Sequence, residues 1–319
     1  MNTNSPKELT SLRGLFQEVV SHDDFICIGP SKTGTTWLNN VLRVCGVSMP
    51  PAKEIKYFTE EMLGIERGGL LRRLFSRHWL YRANRDWLWS SSKQFVKSLV
   101  GLNRPDLVGI KWCLRFVLGR RSDSWYRGLF SEYGGIADIS PKYVELDESA
   151  VLSLDQRFPG LKVVMFVRNP IERDWSSARM ILCKHKGRLP DSVSEMEFKQ
   201  FFDRKPVIDQ SNYPEYLPLW RKVFGDRLLV LFYDAIAEKP ETLVNRVLGH
   251  IRMPVVDFNR LGEQQHSLLK SRVGQGVQGA MPEGVRKHLQ SKHKATIVEL
   301  QRMFPDEPWP KMWLDQFIF

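Results

Sequence analysis

The sequence predicts an α/β fold, built as one large domain or as a domain with insertions. Three observations predict it. Apolar runs at 25–28, 163–167 and 228–232 are short, continuous and rich in β-favouring residues, the character of parallel strands buried on both faces. Each run exits into turn-forming or polar residues, and a helical pattern follows. The chain's 319 residues, 42% hydrophobic and 26% charged, are enough to bury a large core.

The first of these units is the most informative. Gly29 and Pro30 break the strand, and Trp37, Leu38, Val41 and Leu42 fall at helical spacing, so a helix starts near Gly34-Thr35. Strand, Gly-containing loop and helix start together form an anion cradle. Successive N–H groups point outward, the helix dipole adds partial positive charge, and Lys32 supplies a full one. Gly29 and Gly34 keep the G-x-x-x-x-G frame of a nucleotide P-loop, but Thr35-Thr36 stand where that loop needs Lys-Ser/Thr. The metal-holding half of an NTPase signature is incomplete, whereas the phosphate-holding half is intact. Ser31, Lys32, Thr33, Gly34, Thr35, Thr36 and Trp37 are the candidate anion-binding stretch. The plain alternative is an ordinary strand–turn–helix with a surface lysine.

Met49-Pro50-Pro51 then forces an extended turn. Lys53-Glu54-Ile55-Lys56-Tyr57-Phe58 follows in a short strand-like register, with Ile55 and Tyr57 opposing Glu54, Lys56 and Phe58. It reads as a surface ion-pair cluster, or as a return to the carboxyl edge of the first strand, where open α/β sheets bind ligands. Residues 60–106 are rich in Arg, Trp and Leu, and the spacing of Leu70, Leu71, Leu74 and Phe75 predicts amphipathic helices with a solvated basic face. Interleaved aromatics and arginines also occur in nucleic-acid binders. Residues 107–111 read as the next strand, with Lys111 facing a ligand at its exit or simply marking the strand end.

After the strand 163–167, Arg168 can fork onto a phosphate through two parallel N–H bonds, and the Ser176 hydroxyl on the following helix can donate to the same group. Residues 180–211 turn basic at Lys184, His185, Lys186 and Arg188 and read as a solvated or mobile flap. A further strand at 227–232 exits at Tyr233 and Asp234, ahead of a helix with Pro240 near its start. Lys270, Ser271 and Arg272 lie beside Gly274, Gly276 and Gly279, a composition suited to closing over phosphates or to a linker before a helix at 282–303.

The formal net charge of +11 points to anionic ligands. The four cysteines are widely spaced, without metal-ligand spacing, and read as reduced thiols of a cytoplasmic protein. No run has the length of a membrane span or the pattern of a signal peptide. No nucleic-acid motif spacing is present, so a nucleic-acid partner is not expected.

Gly29-Pro-Ser-Lys32-Thr-Gly34-Thr-Thr-Trp-Leu38 resembles the 5′-phosphosulfate loop of sulfotransferases that use 3′-phosphoadenosine 5′-phosphosulfate (PAPS). Arg168-Asn-Pro-x-x-Arg173-x-x-Ser176 is similar to the 3′-phosphate element of that family. Residues 53–58 resemble the Lys-Glu-(Ile/Val)-x-(Phe/Tyr)-Phe segment of its glycosaminoglycan-type members, which implies that Glu54 is a general base; Lys56 and Thr59 depart from that pattern. Residues 135–143 resemble a Gly-Glu-x-Ser-Pro-x-Tyr element, with Ala137-Asp138 in place of Gly-Glu and Ile139 where those enzymes carry a lysine. Tyr233 resembles the family's tyrosine beside the adenine, although core packing explains it equally. Lys270, Ser271 and Arg272 fall where relatives close a loop over the phosphates.

The resemblance spans about residue 24 to Trp313. It implies a single P-loop-containing, sulfotransferase-like domain over 1–319: three layers, with a central parallel sheet flanked by helices and a helical insertion at 60–106. PAPS would lie across the carboxyl edges of the strands at 25–28 and 163–167, with Lys32, Glu54 and Lys111 as catalytic residues. A sulfuryl group would pass to a hydroxyl or amine, releasing adenosine 3′,5′-bisphosphate without a metal. Ile139 favours a small-molecule acceptor, possible natural products included, over a saccharide or glycosaminoglycan-like one. Outside this class stand a P-loop nucleotide kinase or NTPase and a non-enzymatic polyanion-binding protein.

Overall fold

The computed structural model describes residues 20–62, 64, 107–260, 262–263, 267, 269 and 277–317. At its centre lies a four-stranded parallel sheet in the order β2-β1-β3-β4, made of β1 (Phe25–Gly29), β2 (Ala137–Ile139), β3 (Lys162–Val167) and β4 (Leu228–Phe232). Its residues alternate between two cores. Ile26, Ile28, Val163, Met165, Val167 and Phe232 enter one, and Phe25, Cys27, Ala137, Ile139, Val164, Phe166 and Leu231 enter the other. Burial on both faces is why these runs are unbroken apolar stretches. Asp138 faces the first core from β2 and is a carboxyl on an otherwise apolar face.

The helices, in chain order, are α1 (Thr35–Val44), α2 (Tyr57–Met62), α3 (Leu107–Leu118), α4 (Asp123–Gly128), α5 (Glu148–Arg157), α6 (Pro170–Ala178), α7 (Glu195–Phe202), α8 (Lys205–Ser211), α9 (Tyr213–Phe224), α10 (Ala235–Glu238), α11 (Pro240–His250), α12 (Glu283–Met303) and α13 (Trp309–Asp315). α1 and α11 cover one face of the sheet with Leu38, Val41, Leu42, Leu243, Val244 and Val247. On the other face lie α5, α6, α9 and α12, through residues such as Leu154, Trp175, Leu217, Trp220 and Leu289. The expected three-layer α/β architecture is therefore present.

Side-chain caps fix where α4, α5, α6 and α7 begin. Asn169 Oδ1 accepts from Ile171 N at 3.0 Å at the start of α6, and Asp147 Oδ1 accepts from Ala150 N at 2.8 Å at the start of α5. A buried ionic cluster then locks α6 to α8 and α12. Arg173 pairs with Asp174, its Nε donates to Ser211 Oγ at 2.5 Å, and His293 Nε2 donates to Asp174 Oδ2 at 2.8 Å.

Two local expectations are corrected. Residues 107–111 open the helix α3 rather than forming a strand, because Gly109, Trp112, Cys113 and Phe116 supply a buried helical stripe that a five-residue window does not reach. Residues 53–58 are not strand-like either. Glu54 and Lys56 have φ of 66° and 59°, and α2 starts at Tyr57 with Tyr57 and Phe58 both buried.

The segment 180–211 is a succession of short helices. Phe198, Phe201 and Phe202 tie its second half into the core, while Lys184, His185 and Lys186 are exposed. Residues 65–106 of the expected insertion, and Lys270, Ser271 and Arg272, lie outside the described residues. Among the described residues, no helix is long and apolar enough to cross a membrane.

Candidate active site

The four strands end at one edge of the sheet, and Lys32, Arg168 and Tyr233 meet there. Gly29 ends β1 at φ 94°, where any Cβ would strike the Pro141 backbone just after β2. Gly34 turns the loop into α1 at φ 96°, and a Cβ there would stand 2.6 Å from Ile236 Cδ1 and 3.2 Å from the Tyr233 ring. Both positions need glycine, for conformation and for space. Between them, Lys32 adopts φ 71°, and Thr33 is buried with its hydroxyl donating to Pro30 O at 2.7 Å. The N–H groups of Thr35, Thr36 and Trp37 occupy the first turn of α1, where a helix offers no carbonyl acceptor.

Arg168, at the exit of β3, joins this loop to the rest of the edge. Its guanidinium donates to Lys32 O at 2.8 Å and stacks on the Tyr233 ring, 4.2 Å from the centroid. Tyr233 is held in turn by its N–H to Val167 O at 2.8 Å, and Tyr213 OH accepts from Arg168 N at 3.2 Å. Ser176 lies on α6, 9% exposed. Trp37 turns into the core, where its indole donates to Leu269 O at 2.9 Å, so only its backbone faces the loop.

Two cations that the sequence reading left out of the site belong to it. Lys53 Nζ donates to the hydroxyls of Thr35 and Thr36 at 3.1 and 2.9 Å. Those are the hydroxyls that an NTPase reading would assign to a metal, and a fixed ammonium stands on them. Arg179, one turn beyond Ser176, reaches Val277 O at 3.4 Å, and its Nε is buried without a hydrogen-bond partner. The signal for Lys53 was its place beside Glu54, which also reads as a surface ion pair. For Arg179 it was the three-residue helical step from Ser176.

The electrostatics are those of an anion site. Burial, then Arg168, Lys184, Arg179 and Lys53 in that order, hold the Lys32 ammonium below the ordinary lysine range. Burial also lowers Lys53, against the opposing pull of Glu54. Glu54 sits between two ammoniums, 3.8 Å from Lys53 Nζ and 3.4 Å from Lys56 Nζ, with its side chain 38% exposed. Lys111, on α3, pairs its exposed ammonium with Glu132 at 2.6 Å and makes none of the loop's contacts above.

Residues 24–257 match the profile of the sulfotransferase family. The chain belongs to that family. The family's members are enzymes of sulfuryl transfer, and the coarse activity follows. A solved sulfotransferase from Alicyclobacillus acidocaldarius is similar in fold, at 15% identity and a TM-score of 0.55, with 92% of this chain and 99% of that one covered. The sulfotransferase domain of the Synechococcus PCC 7002 olefin synthase aligns at 14% identity and a TM-score of 0.47, over 87% of this sulfotransferase and 96% of that domain. No curated protein matches the sequence significantly.

Proposed function

We propose that this sulfotransferase takes its sulfuryl group from PAPS and delivers it to a hydroxyl or amine of a small-molecule acceptor. The observation that carries the reading is the bond from Arg168 to the Lys32 carbonyl, which makes the β1 and β3 loops one cationic cradle. A donor with phosphate at one end and phosphosulfate at the other suits such a cradle. The crowded charges on Lys32 and the buried, unpartnered Nε of Arg179 fit the same polyanion.

In this reading Arg168 and Ser176 bind the 3′-phosphate and Tyr233 flanks the adenine. Lys32 and the N–H groups of 33–37 bind the phosphosulfate. The acceptor oxygen or nitrogen forms a bond to sulfur as the bond from sulfur to the bridging phosphate oxygen breaks. The electron pair leaves on that oxygen, where Lys32 neutralises it. Glu54 takes the acceptor proton, and Lys53, fixed on Thr35 and Thr36, holds the Glu54 loop against α1. Ile139, where glycosaminoglycan-type members carry a lysine, is buried in β2, which favours a small acceptor.

Thermal unfolding with adenosine 3′,5′-bisphosphate, Mg-ATP or an oligonucleotide tests the donor. Stabilisation by the bisphosphate alone is expected, and stabilisation by Mg-ATP alone would overturn the reading. Product isolated from extract incubated with labelled PAPS then identifies the acceptor.

A further inference from the structure

Asp138 is 1% exposed, and its hydrogen-bond partners are three hydroxyls rather than a cation. Ser140 Oγ donates to Oδ1 at 2.7 Å, and Tyr143 OH and Tyr126 OH donate to Oδ2 at 2.6 and 3.0 Å. Two of these hydroxyls are used a second time. Ser140 Oγ accepts from Lys56 N at 3.1 Å, and Tyr143 OH accepts from Tyr57 N at 3.0 Å.

Two consecutive peptide N–H groups therefore end on one carboxyl, each through a single hydroxyl. The direction of each bond is forced. A hydroxyl that has given its proton to a carboxyl presents only lone pairs to the backbone opposite, and the carboxyl strengthens it as an acceptor. The loop requires such support, because Glu54 and Lys56 both hold left-handed backbone that non-glycine residues rarely adopt. Burial pushes the Asp138 carboxyl above the usual aspartate range, against the lowering effect of the donated bonds.

We propose that Asp138 is a positioning residue for sulfuryl transfer: acting through Ser140 and Tyr143, it fixes the backbone at Lys56 and Tyr57 and so aims Glu54 beside the phosphosulfate loop. The role of Glu54 rests on the function proposed above; the anchoring of the loop does not.

Amide hydrogen exchange of the full chain, read by NMR, tests the anchoring residue by residue. Ser140→Ala speeds exchange at Lys56, Tyr143→Phe at Tyr57, and Asp138→Asn at both amides, each by about tenfold or more, as expected for loss of one buried bond. Tyr126→Phe, which removes a bond to Asp138 but none to the loop, leaves these amides unchanged. Should Asp138→Asn fail to fold, the two hydroxyl variants decide alone.

Calorimetry with adenosine 3′,5′-bisphosphate is expected to give wild-type affinity in every folded variant. PAPS turnover with water as acceptor, read as bisphosphate release, falls about tenfold in Ser140→Ala and Tyr143→Phe with KM for PAPS unchanged. A uniform rise in exchange across β1 and β3 would overturn the anchoring, and local release with undiminished turnover would overturn the positioning role. A wild-type chain that does not bind the bisphosphate would overturn the PAPS reading, while the exchange map would still judge the anchoring.

Discussion

Replacing Arg168 separates charge from shape at the point where the two loops meet. Arg168→Ala removes a guanidinium that donates to Lys32 O at 2.8 Å and lies 4.2 Å from the Tyr233 ring centroid. The lost hydrogen bond and cation–π contact are worth about 1 kcal/mol each, so the variant stays folded but is about 1–2 kcal/mol less stable. Its charge-assisted bonds to a phosphate are worth about 1.5–3 kcal/mol, which weakens bisphosphate binding by roughly 10- to 150-fold. Arg168→Lys keeps the charge and loses the planar fork, and is expected to recover only part of that affinity. Titration calorimetry with adenosine 3′,5′-bisphosphate, beside urea unfolding of each variant, measures both quantities. Wild-type affinity in a folded Arg168→Ala chain would refute the phosphate assignment, and full recovery with lysine would refute the fork.

Lys32→Ala should cut PAPS turnover by about 100- to 1,000-fold, the scale of one lost transition-state donor, while bisphosphate binding survives; substantial residual turnover would remove Lys32 from the chemistry. Lys32 is held below the usual lysine range, so an incoming anion raises it and binding takes up a proton at alkaline pH. Calorimetry in buffers of different ionisation enthalpy should show that uptake, with affinity falling as pH rises through the window. The unbound fold has the opposite dependence: its unfolded state binds more protons on Lys32, so this group's contribution to stability rises with pH towards the ordinary lysine value. Asp174→Asn should cost about 3–5 kcal/mol in urea unfolding at neutral pH, because it strands the buried Arg173. Burial alone would raise the Asp174 carboxyl, but Arg173, His293 and Ser211 hold it below the ordinary aspartate range. Its stabilising contribution is thus complete above that range and is lost as pH falls through the lowered value, so the variant's acid limb should be flatter.

What the sequence made legible was local. β1, β3 and β4 were readable because double-sided burial leaves uninterrupted apolar runs, and the Lys32 loop and Arg168 follow those strands directly. α3 was misread because five residues from Leu107 to Lys111 satisfy a strand as readily as a helix, and the deciding Trp112, Cys113 and Phe116 come later. Lys53 and Arg179 reach the site from segments whose place is fixed only by tertiary packing. The helical step from Ser176 is the one hint at Arg179, and the neighbouring Glu54 the one hint at Lys53. Asp138 was visible only as a departure from a motif, and the hydroxyls it meets come from Ser140 and Tyr143 just downstream and from Tyr126 on α4.

The gathering of Lys32, Lys53, Arg168 and Arg179 at one sheet edge has a kinetic consequence. A grip suited to two charged ends of the incoming nucleotide holds the spent nucleotide through much the same contacts. With PAPS as the donor proposed above, departure of the bisphosphate, rather than bond exchange at sulfur, is the step expected to set the pace of the cycle. Raising ionic strength would quicken each round at saturating donor even as it weakens capture of the donor when it is scarce.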